Sequence, residues 1–277
     1  MRDIVVTGAF GFIGEEVCRQ LILQGKVPHA FDRPNDVRNR QQVFDAVTRA
    51  DGVINLAGVL GTVEIFGSEY EASEINILGA INVLDAAQQA DIPMVQIATG
   101  HEGQPNPYAI TKKCSSDLCL ARAVYHQQKV NVVKAFHVYG PGQKMCAPHG
   151  SSKVRKIVPS FVARALTNMD IEINGGGLQV IDLVFLEDAA RVLVEALLPP
   201  YGRKLDAGTG VPTTVLDAAE TIISACHSSS AIKHVPMRIG EPEGSVVLSL
   251  HPECHRSWPY GLPETIDWYR HALARAA

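Results

Sequence analysis

The segment that most constrains the fold is Thr7-Gly8-Ala9-Phe10-Gly11-Phe12-Ile13-Gly14, in which Gly8, Gly11 and Gly14 recur at three-residue spacing. It follows the β-branched run DIVVT at 3–7 and opens a helical pattern at 14–25, where Val17, Leu21 and Ile22 share one face. Glycine permits a tight turn and lets the backbone approach a phosphate closely. The helix that follows presents unpaired N–H groups and the positive end of its dipole to that phosphate. A second strand pattern, VPHAF at 27–31, ends at Asp32. An acid about 20 residues beyond such a loop can accept hydrogen bonds from the adenosine ribose hydroxyls. Its charge repels a 2′-phosphate and so favours NAD over NADP, although the adjacent Arg33 could attract that phosphate.

The same alternation continues along the chain. Apolar strand patterns at 52–57, 94–98 and 130–136 are interleaved with helical ones at 39–50, 69–90 and 108–128. Short apolar strands alternating with helices imply an α/β fold, a Rossmann-type doubly wound parallel sheet. After Gly140 the rhythm loosens into a loop at 140–153, a helix at 157–167 and a short strand at 171–174. A helix at 187–198 and a strand at 204–207 are expected to return to the main sheet. The tail carries Pro236, Pro242, Pro252, Pro259 and Pro263 and reads as surface chain until a last helix at 263–275. The expected division is an NAD-binding domain at 1–142, joined again by 180–210. A smaller C-terminal α/β substrate-binding region would be built from 143–179 and 211–277.

Composition narrows the function classes. With 46% hydrophobic and 19% charged residues the chain is not a disordered one. Its net charge of −4 argues against nucleic acid or an anionic membrane as a main partner. No apolar run reaches the length of a membrane span. The first strand starts at residue 3 with no leader pattern before it, and the six cysteines are scattered, so a reduced cytoplasmic protein is expected. A metal site is not expected. His251, Cys254 and His255 lie close together in HPECH, but Pro252 disfavours a helix presenting both histidines, and a surface loop is the reading. Cys114 and Cys119 read as packing residues.

Tyr108 and Lys112, in YAITK, are four residues apart at the start of a helix and lie on one face. A phenol is a poor base near neutral pH, and bringing its pKa to about 7 requires about 4 kcal/mol of differential stabilisation. A nearby ammonium and a positive nicotinamide ring both favour the phenolate. Tyr108 could then take a proton from an alcohol while a hydride leaves for the ring. Thr99 ends the strand MVQIA, at the carboxyl edge where parallel sheets bind ligands, and would hydrogen-bond the reacting oxygen.

Together these segments resemble the extended short-chain dehydrogenase/reductase family, more narrowly its nucleotide-sugar epimerases and dehydratases of the UDP-glucose 4-epimerase type. TGAFGFIG is similar to the family's glycine loop, so the resemblance implies cofactor contacts from Gly8, Phe10, Gly11, Phe12, Ile13 and Gly14. Asp32 matches the ribose-binding acid. NDV resembles the pair that meets the adenine, here Asp36 and Val37. INLAG resembles the strand whose backbone passes the pyrophosphate, through Leu56, Ala57 and Gly58. EINILGAINVLDAA brings Asn76 in the same way, and IATG, NPYAITK and VVKAFHVYGPGQ match the segments carrying Thr99, Tyr108, Lys112 and His137. The resemblance implies NAD as cofactor, a nucleotide-sugar substrate, and a homodimer through the helices near 74–90 and 108–128.

Four departures from the family pattern shape the expectation. Ile181 stands where the family has an arginine for the substrate diphosphate, and Lys153, Arg155, Lys156 and Arg238 are the candidates to compensate. His137 replaces an asparagine that serves the sugar nucleotide. The loop between Thr99 and Tyr108 is short. Gly100 and His101 occupy the positions of the dehydratase Asp-Glu pair, with Glu102 one residue late, so the acid and base for dehydration are missing at that spacing. The leading expectation is therefore NAD-dependent C4 epimerisation through a transient 4-keto sugar. An NAD(P)-dependent keto-sugar reductase, a dehydratase and a non-catalytic dinucleotide-binding module are the alternatives.

Overall fold

The computed structural model describes residues 1–276. The first two-thirds of the chain runs β1 (Asp3–Thr7), α1 (Phe12–Leu23), β2 (Val27–Phe31), α2 (Arg40–Val47), β3 (Gly52–Asn55) and α3 (Glu69–Ser73). A π-helical turn over Glu74–Gly79 continues α3 into α4 (Ala80–Gln89). Then come β4 (Met94–Thr99), α5 (Pro107–His126), β5 (Val130–Ala135), β6 (His137–Tyr139) and α6 (Ile157–Leu166). The last third holds β7 (Ile171–Asn174), β8 (Val180–Ile181), β9 (Leu183–Phe185), α7 (Leu186–Glu195), β10 (Lys204–Ala207), β11 (Thr213–Thr214), α8 (Val215–Ala225), β12 (Ile232–Val235), β13 (Val246–Val247) and α9 (Leu262–Ala276).

Six strands form one parallel sheet in the order β10-β5-β4-β3-β1-β2. Its strands are apolar at successive positions because both faces are covered. On one face, Ile4, Val6, Ile54, Val95 and Val133 pack with Val17 and Leu21 of α1 and Ala190 and Leu193 of α7. On the other, Val5, Val53, Met94 and Val132 pack with Val43 and Val47 of α2, Val83 and Leu84 of α4, and Cys119 of α5. The chain passes from β1 to β2 on one side and then crosses to β3 on the other. The carboxyl ends of β1 and β3 therefore flank a topological switch point, where such sheets bind ligands.

A separate core joins Val158, Phe161 and Val162 of α6, Ile171 and Ile173 of β7, Ile222 of α8, and Ile266 and Tyr269 of α9. Short sheets β11-β8-β13 and β12-β7 cover it. Two sequence readings change here. The proline-bearing tail is not simply surface chain. Val247 and Cys254 are buried in the core under the main sheet, and the Cys254 N–H donates to Gly208 O at 3.1 Å. His251 and His255 are exposed as a surface loop requires, but Cys254 between them is not. Helix α8 escaped the pattern reading, although its capping box, Thr214 with Asp217, is a local signal. No described helix is long and apolar enough to cross a membrane. Among the described residues, no three His, Cys, Asp or Glu side chains are grouped to hold a metal ion.

Candidate active site

Gly8 leaves β1 at φ +67°, and a Cβ there would stand 3.0 Å from Ala57 N. A Cβ on Gly14 would lie 2.2 Å from Gly8 O. The loop thus nests against Leu56 and Ala57, beyond the end of β3, and both approaches require glycine. Thr7 ties the two strand ends together. Its Oγ1 donates to Asn55 Oδ1 at 2.5 Å and accepts from Leu56 N and Ala57 N at 3.1 Å each. Helix α1 starts at Phe12 and Ile13 with no side-chain cap at Gly11, so its first N–H groups keep their capacity for an anion. Phe10 is exposed beside them.

Asp32, just past β2, accepts from Phe10 N at 2.9 Å and Arg33 N at 2.7 Å, which fixes its carboxylate at the rim of the loop. Arg33 is exposed. Asp36 is engaged within the chain. Arg38 grips its carboxylate and holds it below the usual carboxylate range, and also reaches Glu74 at 3.5 Å. Val37 is buried against Gly79, where a Cβ would meet its Cγ2 at 2.7 Å.

Asn106 caps α5 by accepting from Ala109 N at 3.0 Å, with Pro107 in the first turn. This short-range code sets Tyr108 and Lys112 on the face toward β4. Thr99, buried at the carboxyl end of β4, places its hydroxyl beside the Tyr108 phenol. The Lys112 ammonium lies under Gly58, whose added Cβ would be 3.6 Å from Nζ. Asn76, in the π-helical turn, accepts from Val59 N at 2.9 Å and donates to Thr111 Oγ1 at 3.0 Å. It thereby joins the loop after β3 to the helix turn that carries Lys112.

Burial sets the charges here. Lys112 is pushed down to about 8 by its removal from water, with only the Cys119 thiol acting to raise it. The Tyr108 phenol is pushed up by burial, while the Thr99 hydroxyl pulls it back. Lys112 does not by itself lower Tyr108, as the spacing alone suggests. The second positive charge has to arrive with a ligand.

Thr99 Oγ1 is also 3.0 Å from His101 Nδ1, and His101 Nε2 is 3.1 Å from His137 Nε2. Burial and the nearby Lys156 ammonium lower both histidines, His101 to about 4 and His137 well below its ordinary value. Asp182 O accepts the His137 N–H at 2.9 Å. The Asp182 carboxylate clamps Thr209 N, Gly210 N and Ser249 N at 2.9–3.1 Å. Glu102 pairs through Oε2 with Lys204 at 2.6 Å, and its Oε1 is buried with no partner.

Arg155, Lys156 and Arg238 line one small cavity with Glu172, Asn174, Gln179 and Glu241. Lys153 is exposed and is not among the lining residues, so this candidate drops away from the cluster. Arg155 pairs with Glu172 at 3.0 Å and Arg238 with Glu241 at 3.0 Å. Ile181 is buried in the C-terminal core. Asn106 Nδ2 donates to Gly240 O at 3.2 Å, which links the start of α5 to the Arg238–Glu241 turn. The histidine pair, the Glu102–Lys204 bridge and this link join distant segments. Of these, only the Asn-Pro before Tyr108 left a local signal.

Residues 4–204 match the NAD dependent epimerase/dehydratase family. The chain belongs to that family. The enzyme is 25% identical to UDP-N-acetyl-alpha-D-glucosaminuronate decarboxylase of Bacillus cytotoxicus, over 97% of its own length and 98% of the relative's. Its fold matches UDP-glucose 4-epimerase of Thermotoga maritima with a TM-score of 0.87 at 22% identity, over 98% and 99% of the two chains. The Thermus thermophilus UDP-glucose 4-epimerase, in complex with NAD, gives 0.82 at 24% identity, over 97% and 99%. NAD is the cofactor of this family. The N–H groups of the glycine cradle and the uncapped helix start, the buried Lys112 ammonium and the accepting Asp32 carboxylate form a set of groups that fits it.

Proposed function

We propose that the enzyme epimerises a nucleotide sugar at C4 through a transient 4-keto sugar, without net consumption of NAD. When bound, NAD supplies the hydride acceptor and then the hydride donor. Tyr108 takes the C4 hydroxyl proton and later returns it, and Thr99 hydrogen-bonds the reacting oxygen. Lys112 holds the nicotinamide ribose, and the Thr99 hydroxyl opposes the burial shift on Tyr108. Arg155, Lys156 and Arg238 face the diphosphate.

The observation that carries epimerisation over dehydration is the lack of a free carboxylate beside Thr99. Gly100 and His101 stand at the two dehydratase positions, and Glu102, one residue late, is paired through Oε2 with Lys204. A general acid and base for eliminating water have no side chains there. The decarboxylase names among the relatives favour a second reading, a uronate substrate that loses carbon dioxide from the same 4-keto intermediate.

Exposed Tyr70, Leu78, Leu118, Val124 and Tyr125 on the α3–α4 and α5 faces support a homodimer through those helices. Six free thiols support a cytoplasmic setting. The test is a proton NMR assay with UDP-, GDP- and dTDP-sugars, uronates included, and no added reductant. The expected result is an equilibrium pair of C4 epimers with NAD recovered unchanged. Release of carbon dioxide, a stable 4-keto-6-deoxy product or stoichiometric conversion of NAD to NADH would each overturn the proposal.

A further inference from the structure

We propose that His101 and His137 form a tautomer-locked pair that makes Thr99 an obligate hydrogen-bond donor to the reacting oxygen. The inference rests on the role given to Thr99 above, and it assigns both histidines as positioning residues that act through Thr99.

The argument is an accounting of protons. Thr99 Oγ1 already accepts the backbone N–H of His101 at 3.2 Å, and the His101 Nδ1 sits 3.0 Å from the same oxygen. The rings of His101 and His137 meet edge to face, with centroids 4.6 Å apart and their Nε2 atoms 3.1 Å apart. One nitrogen of each facing pair must donate and the other accept. His137 Nδ1 is buried with no partner.

Two neutral arrangements satisfy the chain. In the first, Thr99 donates to His101 Nδ1, the His101 Nε2–H donates to His137 Nε2, and an N–H is left at His137 Nδ1. That places a buried donor against nothing, the rarer fault in folded proteins. In the second, His137 Nε2–H donates to His101 Nε2, and His101 Nδ1–H donates to Thr99. Only a bare acceptor then remains at His137 Nδ1. A charged His101 would restore the orphan donor on His137, and the neighbouring Lys156 ammonium opposes it.

The second arrangement fills both lone pairs of Thr99 Oγ1. Its own proton then has to point away from the rings, toward Tyr108 and the reacting oxygen. In that orientation it stabilises a Tyr108 phenolate, or the negative charge that builds on the sugar oxygen. The pair therefore orders Thr99. His101 also stands in the sequence where the dehydratase pattern has a carboxylate.

The test needs no substrate. Long-range proton–nitrogen NMR spectra of the protein labelled with 15N-histidine report each ring's tautomer, with assignments from His101→Asn and His137→Gln. Expected are a neutral His101 protonated at Nδ1 and a neutral His137 protonated at Nε2 from pH 8 to pH 5. The reverse tautomers, or a charged ring at pH 6, would overturn the proposal even if the epimerase reading holds. Loss of that reading would leave the spectra valid. A kinetic arm uses UDP-glucose and UDP-galactose. His137→Phe, which keeps a ring but removes the donor, should lower kcat at least about tenfold with KM within about twofold. His137→Gln, which restores a donor near Nε2, should recover most of the loss. Equal losses in the two variants would overturn it.

Discussion

The two ends of the site treat their charges differently. At the cofactor end, Lys112 is buried with no carboxylate to neutralise it, and the N-terminus of α1 has no side-chain cap. At the substrate end, Arg155 and Arg238 are each paired with a glutamate. A cofactor that stays bound can satisfy a permanently unpaired charge. A substrate that comes and goes meets charges already held by internal partners, and these must exchange. On the proposed reading the cofactor end stores destabilisation that binding relieves, while the Arg155–Glu172 and Arg238–Glu241 pairs would act as a latch for the substrate.

Removing the base gives the largest expected effect at the cofactor end. Tyr108→Phe should lower turnover on the order of 10³-fold while NAD affinity, followed by fluorescence, stays within about twofold. Unchanged turnover would remove Tyr108 from the chemistry. Lys112→Met should cost on the order of 10²-fold in activity yet stabilise the cofactor-free protein by about 3 kcal/mol at neutral pH. The sign follows from the lowered pKa. Between about 8 and the ordinary value near 10.5 the unfolded chain binds the extra proton, so the wild type gains stability as pH rises through that window. Urea melts at pH 7 and pH 10 should converge for the variant and differ for the wild type.

The histidines give an acid-side effect on stability of comparable size. His101 is neutral in the fold down to about 4, while in the unfolded chain it protonates near 6.5. Stability therefore falls as pH drops from 6.5 to about 4, at up to about 1.4 kcal/mol per pH unit. His101→Asn should flatten that slope in thermal melts, and an unchanged slope would show that the ring is not the group responsible. The smallest effect tests the latch. Glu241→Gln frees Arg238 and should lower KM for the sugar nucleotide about three- to tenfold with kcat little changed. An unchanged KM would separate Arg238 from the substrate.

The two ends also differ in how legible they were. The glycine loop, Asp32 and the Tyr108–Lys112 spacing are set within single turns or single strand–loop–helix units, and the residues that cap and open those units are adjacent in the chain. The strand–helix alternation yielded the parallel sheet in the same way, because a strand covered on both faces must be apolar throughout. Helix α8 and the buried Cys254 were not read. Prolines dominate the tail's local pattern, whereas burial there depends on contacts with Asp182 and Gly208. Ile181 was legible as a missing arginine. That its side chain fills the C-terminal core became visible only with α6 and α8 packed around it.

Local spacing in the sequence thus determined the fold class, the cofactor loop and the catalytic helix, because each depends on hydrogen bonds and side-chain directions only a few residues apart. Only the tertiary structure brought His101 against His137, Glu102 against Lys204, and Arg238 into line with Lys156. Those partners lie tens of residues apart, and no periodicity encodes a meeting that depends on how separate elements pack. The charge state of the site belongs to this second class. The Tyr-Lys spacing suggests a lowered phenol, but burial moves Tyr108 up and Lys112 down, and desolvation is a property of the folded surroundings.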